Sequence, residues 1–471
     1  MTTILEQPAS ITADDIQQSR DVVSVLRDVL PAGIITTDNV VLNEYAHDRS
    51  FFTPAHLPLA VVRPETTEQV QSVVREANAH HTPIFTRGKG SGVAGSAIPT
   101  QGGGIILSLE RMNHILDINP VDQTMRVEAG VVTSTINEAL ADSPLFYAPD
   151  PASSSISSIG GNIATNADGF HCVKYGVTRD SLLSLKVVLA DGRVIETGRS
   201  TVKNVAGLDM TGLFTGSEGT LGIVVEATLR LRPKPTATSA VVAFFEHIPN
   251  VGKAVEAISV SGVGPSVFEL LAIPDRIAES PRYVETAAGC TWMILLQADG
   301  SGSQQDAERL AEALHNVTDR VIVPEQSEVD WVFSLRKGGK PHPKDHWRTT
   351  GDVAVPLSKI STFLSDLERI AARHGYRYTL VAHVGDGNIH SGFFTPKVPG
   401  DDTYPEGLNV AHAELMDAAL ALGGTLTGEH GVGIELTGFL ADQIGAANLE
   451  IQKRIKAALD PHGILNPGKW L

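Results

Sequence analysis

The chain has 471 residues, 42% of them hydrophobic, and a formal net charge of -17. That length suggests two or three domains, or one large fold with an inserted cap, and the acidity argues against general binding to nucleic acid or an anionic membrane surface. Two cysteines, Cys172 and Cys290, with no CxxC pattern, exclude iron–sulfur ligation and zinc ribbons and suit a reducing compartment.

Met1 to Arg20 has neither a basic n-region nor an apolar h-region, so it does not read as a signal peptide. No run approaches the ~20 apolar residues of a membrane span. The expectation is a soluble cytoplasmic protein, peripheral to a membrane at most. Residues 1 to 20 read as loose and polar. Val22, Val23, Val25, Leu26, Val29 and Leu30 then predict a helix stopped by Pro31. Thr66 to Ala77 predicts a second helix, with Thr66 and Gln69 as a capping box and Val70, Val73, Val74 and Ala77 on one face. A strand over Pro83 to Thr86 leads into a glycine loop, Gly88 to Gly95.

That loop contains Gly90-x-Gly92-x-x-Gly95, formally a dinucleotide fingerprint. The Rossmann mechanism needs a helix directly after it. Ser96-Ala97-Ile98-Pro99 and Gly102-Gly103-Gly104 are not helical, so classical NAD binding is set aside. Successive amides of such a loop can still cradle a phosphate. Small residues recur over Pro149 to Gly169, and a third glycine loop runs from Gly216 to Gly222. Between them lies a hairpin, Leu185 to Ala190 and Arg193 to Thr197, turned by Asp191-Gly192. One such loop has an ordinary turn as its equal alternative. Three, separated by strands, favour a large phosphate-bearing cofactor. A β-rich run from Ile223 to Leu231 follows, and Pro233 and Pro235 mark a boundary.

Residues 236 to about 420 mix helices, such as Asp306 to Leu314 and Thr362 to Ala372, with strands. Arg336 to Arg348 carries five fixed cations and one acid. A solvated loop is the plain reading. The functional one is a positive field for a carboxylate substrate, with Arg336 as a bidentate clamp. Next, apolar Tyr378 to Val381, the turn signal Asp386-Gly387 and Phe393-Phe394 predict a hairpin. Centred on that turn, His383 pairs directly with His390, with Cβ atoms roughly 5 Å apart. Two core histidines are the bland alternative. With Glu429 as third ligand, the set His383, His390 and Glu429 suits a divalent metal with open positions: zinc, or else manganese or iron. His430, flanked by glycine, is placed to act as a base. Cys172 and Cys290 read as small buried residues, and a lone His171 is weak ground for a covalent flavin link. The chain ends in a helix closed by Asp460-Pro461-His462-Gly463.

Taken in order, these motifs resemble the flavin-dependent D-2-hydroxy-acid dehydrogenases, which include D-lactate dehydrogenase, the glycolate oxidase catalytic subunit and D-2-hydroxyglutarate dehydrogenase. The resemblance runs from about residue 45 to Leu471. It is carried by Arg87-Gly88-Lys89-Gly90-Ser91-Gly92, Ile159-Gly160-Gly161-Asn162-Ile163-Ala164-Thr165-Asn166, Lys174-Tyr175-Gly176, Gly216-Ser217-Glu218-Gly219-Thr220-Leu221-Gly222-Ile223 and Leu465-Asn466-Pro467-Gly468-Lys469. It implies an α+β protein of the vanillyl-alcohol oxidase/p-cresol methylhydroxylase type: a two-subdomain FAD-binding module, an α+β cap domain, and a C-terminal segment returning to the FAD module. The expected division is an N-terminal helical segment (1–54), the FAD domain (55–234), a cap with the metal site (235–430) and the returning segment (431–471).

The resemblance further implies non-covalent FAD held by Arg87, Gly88, Lys89, Gly90, Ser91, Gly92, Asp150, Ser158, Gly161, Asn162, Thr165, Asn166, Glu218, Gly222, Ile223 and Asn466. It implies His383, His390 and Glu429 as metal ligands and His430 as catalytic base; the reading of Arg336 as the clamp on the substrate carboxylate stands beside it. The expected reaction is oxidation of a D-2-hydroxy acid, D-lactate or a similar short acid, to the 2-oxo acid. Electrons then pass to a quinone, a cytochrome or an electron-transfer flavoprotein, and a homodimer is expected. Four positions depart from the family: Lys89 and Gly392 stand where glycine and asparagine are common, and Leu436 and Thr350 where lysines occur. The change at Thr350 weakens a dicarboxylate reading. The alternatives are D-2-hydroxyglutarate dehydrogenase, a non-redox FAD transferase of the alkylglycerone-phosphate synthase type, a non-catalytic subunit, and an oxygen-using oxidase.

Overall fold

The computed structural model describes residues 13–50, 56–338, 345–398, 400 and 403–471; for 13–20, 337 and 338 this is backbone only. The expectation of a loose N-terminus concerns residues 1–12 outside that range. From Ala13 onward it is corrected, because one helix runs from Ala13 to Val29. Lys340 and Lys344 of the cationic loop also lie outside the described residues. The chain splits into two compact units. The first comprises residues 1–168, 176–233 and 429–471, and the second residues 169–175 and 234–428.

The first unit holds two larger sheets. In the four-stranded one, Ala60–Val62 and Ile84–Arg87 flank Ile105–Ser108 in parallel. Such a connection needs a crossover, and the helix Thr67–Ala79 supplies it. Thr66 caps that helix by accepting from the Gln69 amide at 3.3 Å. Gln69 Oε1 returns to the Glu65 amide at 2.7 Å rather than to Thr66, so the box closes one residue early. Val70, Val73, Val74 and Ala77 are buried as the periodicity requires, in a core with Ile84, Ile105 and Leu107. The second sheet is antiparallel, in the order Ile115–Asn119, Thr124–Glu128, Ile223–Arg230, Leu182–Val188, Val194–Gly198. The Asp191-Gly192 turn is a three-residue loop: Leu189 and Arg193 pair across it, and Gly192 takes φ +78°.

The C-terminal segment re-enters this unit beside Ile84. The helix Ala446–Leu459 ends at Asp460, whose carboxylate accepts from the Ile464 and Leu465 amides at 3.0 and 2.8 Å. Leu465 then bridges Ile84 in parallel. This return was the architecture implied by the resemblance.

The second unit is built on an eight-stranded sheet with helices packed against it, Ile360–His374 and Glu406–Ala421 among them. Val267–Ala272, Arg377–His383 and Asn388–Pro396 are consecutive neighbours, and Gly351–Ala354 pairs with the last of these. The histidine hairpin is present but its register differs from the expected one. His383 faces Asn388, and His390 faces Val381. The turn spans four residues, Val384 to Gly387. The cause is tertiary: the Gly385 amide donates to Phe268 O on the neighbouring strand at 3.1 Å, and Gly387 takes φ +87°. The slip moves each pair by two residues, and with a side-chain period of two both histidines keep one face.

Candidate active site

In the first unit, a cavity of about 340 Å³ is walled by the three small-residue segments. Gly88, Lys89, Gly90, Ser91 and Gly92 form one wall; Ser158, Gly161, Asn162 and Thr165 another; Glu218 and Gly222 a third. Glu429 and His430 stand in the same lining. The expected cofactor residues Arg87, Asp150, Asn166, Ile223 and Asn466 do not. Arg49, Ser96, Ser153 and Ser217, not among the expected cofactor residues, do; the three serines belong to or adjoin the small-residue segments, and Arg49 lies away from them and carries no local signal.

The sites of the non-lining residues have physical reasons. The Arg87 guanidinium turns behind the loop, donating to His47 O at 2.6 Å and facing the Tyr45 ring. Burial pulls its pKa down from the ordinary value. A Cβ at Gly90 would collide with Arg87, so the glycine lets the loop close over the guanidinium. Asn166 caps the helix Ile159–Thr165 at φ +54°, and its Oδ1 accepts from the Arg179 amide at 2.9 Å. Asn466, at φ +44°, donates from Nδ2 to Glu218 O at 2.6 Å and to Ser96 O at 3.1 Å. These three residues build the walls.

The cavity suits a pyrophosphate-bearing ligand. Among the described residues, the amides of Lys89, Gly90, Ser91 and Gly92 donate to no protein acceptor. Gly90 sits at φ +65°, the alternation that turns successive amides inward as an anion nest. A Cβ at Gly92 would meet no protein atom within 4 Å, whereas one at Gly160 would lie 2.7 Å from the Ala129 Cβ. Gly160 is therefore fixed by packing, and Gly92 leaves room on the ligand side. No helix follows Gly95 before the strand Ile105–Ser108, so the nest is not a Rossmann turn.

In the second unit, His383 and His390 are brought together with ring centroids 5.2 Å apart and planes at 88°. Each has a carboxylate on the adjacent strand. The pairing of Leu270 with Ala382 carries Glu269 opposite His383, and Glu269 Oε1 lies 2.8 Å from His383 Nδ1. Asp352 pairs with His390, with Oδ1 3.3 Å from Nδ1. The hydrogen bond at His383 Nδ1 selects the tautomer whose lone pair is on Nε2, the arrangement of metal-binding histidines. Asp352 also accepts from Asn388 Nδ2 at 2.9 Å, Thr427 Oγ1 at 2.7 Å and the Gly428 amide at 3.0 Å. Thr427 and Gly428 immediately precede Glu429 in the chain. Spacing missed both carboxylates, since neither belongs to a local motif.

Arg336, expected to clamp a substrate carboxylate, holds Glu269. Nη2 is 2.6 Å from Oε2, and the two side chains are 9% and 1% exposed. Its guanidinium also stacks on Phe170. His171 Nε2 is 3.1 Å from Gln297 Oε1. Lys174 and Tyr175 are both bound to the buried Asp299, the tyrosine at 2.6 Å. Cys172 is buried and Cys290 partly so, both as thiols.

Comparison with known proteins agrees with this architecture. Residues 58–198 match the FAD binding domain family, and residues 234–470 the family described as FAD linked oxidases, C-terminal domain. The glycolate oxidase subunit GlcD of Bacillus subtilis is 36% identical over 435 residues, covering 90% of this chain and 91% of its own. D-2-hydroxyglutarate dehydrogenase of Stutzerimonas stutzeri is 31% identical over 456 residues, covering 94% and 97%. Among solved structures, p-cresol methylhydroxylase with substrate bound superposes with a TM-score of 0.78 at 20% identity, covering 98% of each chain. No described helix is long and apolar enough to cross a membrane. The chain belongs to the FAD-linked oxidases, a flavin oxidoreductase on the p-cresol methylhydroxylase-type fold.

Proposed function

We propose that this protein oxidises a short D-2-hydroxy acid, D-lactate or a near relative, to the 2-oxo acid. The observation that carries the reading is that Glu429 and His430 stand in the wall of the FAD cavity itself. A base in that wall can reach a substrate lying against the flavin. His430 takes the 2-hydroxyl proton as the C2 hydride leaves. His383, His390 and Glu429 are proposed to hold a divalent cation, zinc or else manganese or iron. The support is chemical: a His, His, carboxylate donor set, with each imidazole backed at Nδ1 by an acid. When bound, FAD supplies the hydride acceptor and the cation a Lewis acid at the hydroxyl oxygen. Arg336 serves indirectly, by neutralising Glu269.

A short acid is preferred to D-2-hydroxyglutarate because neither of two positions offers a cation for a distal carboxylate. Position 350 is threonine, and Gly392 has no side chain. A Cβ at Gly392 would collide with the Thr349 carbonyl, so the backbone excludes any longer residue there. Electrons are proposed to leave to a quinone, a cytochrome or an electron-transfer flavoprotein.

The test is anaerobic bleaching of the bound flavin by D-lactate, glycolate and D-2-hydroxyglutarate, with L-lactate as control. Bleaching by D-lactate that a chelator abolishes is the expected result. A yellow protein that none of these acids bleaches overturns the reading.

A further inference from the structure

Glu218 belongs to the glycine loop Gly216–Gly222, yet its carboxylate is spent on the loop that carries His430. Oε1 accepts from the Val432 amide at 2.7 Å, and Oε2 from the Gly433 amide at 2.9 Å and Ser96 Oγ at 2.5 Å. The side chain is buried. Three donors on two oxygens fix its orientation, since a carboxylate accepts along several lone-pair directions at once.

The backbone on both sides is built around this contact. Glu218 itself holds φ +50°, a left-handed conformation that persists in a non-glycine residue only where surroundings enforce it. Here its amide is held by Ala164 O at 2.8 Å and its carbonyl by Asn466 Nδ2 at 2.6 Å. Opposite it, Gly431 has φ +85°, and a Cβ there would lie 2.8 Å from Glu218 Oε1. Gly433 has φ +53° and packs on the Ala94 carbonyl, which accepts from the Ile434 amide at 2.9 Å. The residue next to Gly431 is His430. Its backbone is thus anchored by a clamp that begins two residues downstream.

We infer that Glu218 is a positioning residue for His430: its carboxylate, holding the Val432 and Gly433 amides, sets where the imidazole stands in the FAD cavity. The inference rests on the reading of His430 as the base. It makes the Glu218 carboxylate part of the base's support and leaves flavin retention to the amide nest and small-residue walls.

The experiment compares wild type, Glu218→Gln, Glu218→Asp, His430→Ala and the double variant Glu218→Gln/His430→Ala as holoproteins. Flavin content and visible spectrum are read first, then the limiting anaerobic reduction rate and the substrate concentration giving half of it. Glutamine puts an NH₂ against at least one of the three donors; aspartate keeps the charge but withdraws it by one methylene. A displacement of the base by about 1 Å predicts a loss in limiting rate of up to roughly 100-fold, with flavin content and half-saturation near wild type. In the double variant the Glu218 effect should vanish, leaving the rate of His430→Ala alone. Equal fractional losses in both backgrounds, loss of flavin in both Glu218 variants, or wild-type rates in both, each overturn the inference. If His430→Ala itself reduces at the wild-type rate, the base assignment has failed and this role falls with it.

Discussion

Glu269 and His383 face each other across adjacent strands, joined Oε1 to Nδ1 at 2.8 Å, while the other carboxylate oxygen holds Arg336 at 2.6 Å. One buried acid therefore sets the tautomer of one proposed ligand and neutralises Arg336. Glu269→Gln should weaken zinc binding about 10- to 100-fold, measured by competition with a chromogenic chelator. Glu269→Ala should in addition leave Arg336 without its acid and lower the unfolding free energy by about 3 kcal/mol in urea titrations. Unchanged zinc affinity in both variants would remove Glu269 from the site.

Gly92 separates ligand fit from folding. A Cβ there would meet no protein atom within 4 Å, and the residue lines the cavity proposed to hold FAD. Gly92→Ala should leave the thermal midpoint of apoprotein within a degree or two of wild type while raising the Kd for FAD on the order of tenfold, about 1.4 kcal/mol. Fluorescence titration of apoprotein with FAD reads this directly. An unchanged Kd would mean the ligand does not approach that wall.

At Gly392 the constraint is the protein's own backbone. Gly392→Ala should lose roughly 1–3 kcal/mol of stability, because the new methyl meets the Thr349 carbonyl. Gly392→Asn should be at least as destabilised, and it should gain no oxidation of D-2-hydroxyglutarate. Chemical denaturation and a substrate screen check both. A stable Gly392→Asn protein that oxidises the dicarboxylate would reverse the substrate preference.

Lys469 gives a pH dependence. Its Nζ donates to Gly95 O at 2.9 Å and Ile98 O at 2.6 Å, and burial pulls its pKa from 10.5 down to about 8, against the opposing pull of Glu218 and Asp48. Between pH 8 and 10.5 the unfolded chain binds more protons at this site than the folded one, so the lysine's contribution to stability rises with pH. Below pH 8 its cost is fully present, about 3 kcal/mol. The difference in unfolding free energy between wild type and Lys469→Met should be flat from pH 6 to 8 and climb toward wild type above it. A difference that does not change up to pH 10.5 would show that Lys469 titrates normally.

Local chemistry was readable along the chain because it depends on neighbours a few residues away. Thr66 had to cap a helix whose apolar face repeats at helical spacing, and the glycine run after Ile84–Arg87 had to be a loop. The parity of His383 and His390 was readable for the same reason: a strand alternates faces, so even a hairpin slipped by two residues keeps both imidazoles together. The register itself was not readable, because the bond from the Gly385 amide to Phe268 O comes from a strand more than a hundred residues earlier. Nor were the acids. Glu269 meets His383 only because Val267–Ala272 lies next to Arg377–His383 in the sheet, and Glu218 meets Val432 and Gly433 only because Gly216–Gly222 folds against the returning C-terminal segment. Sequence determined which residues could carry the chemistry. Tertiary structure decided which buried carboxylate each would face, since a charge taken out of water is stable only beside donors that distant segments bring to it.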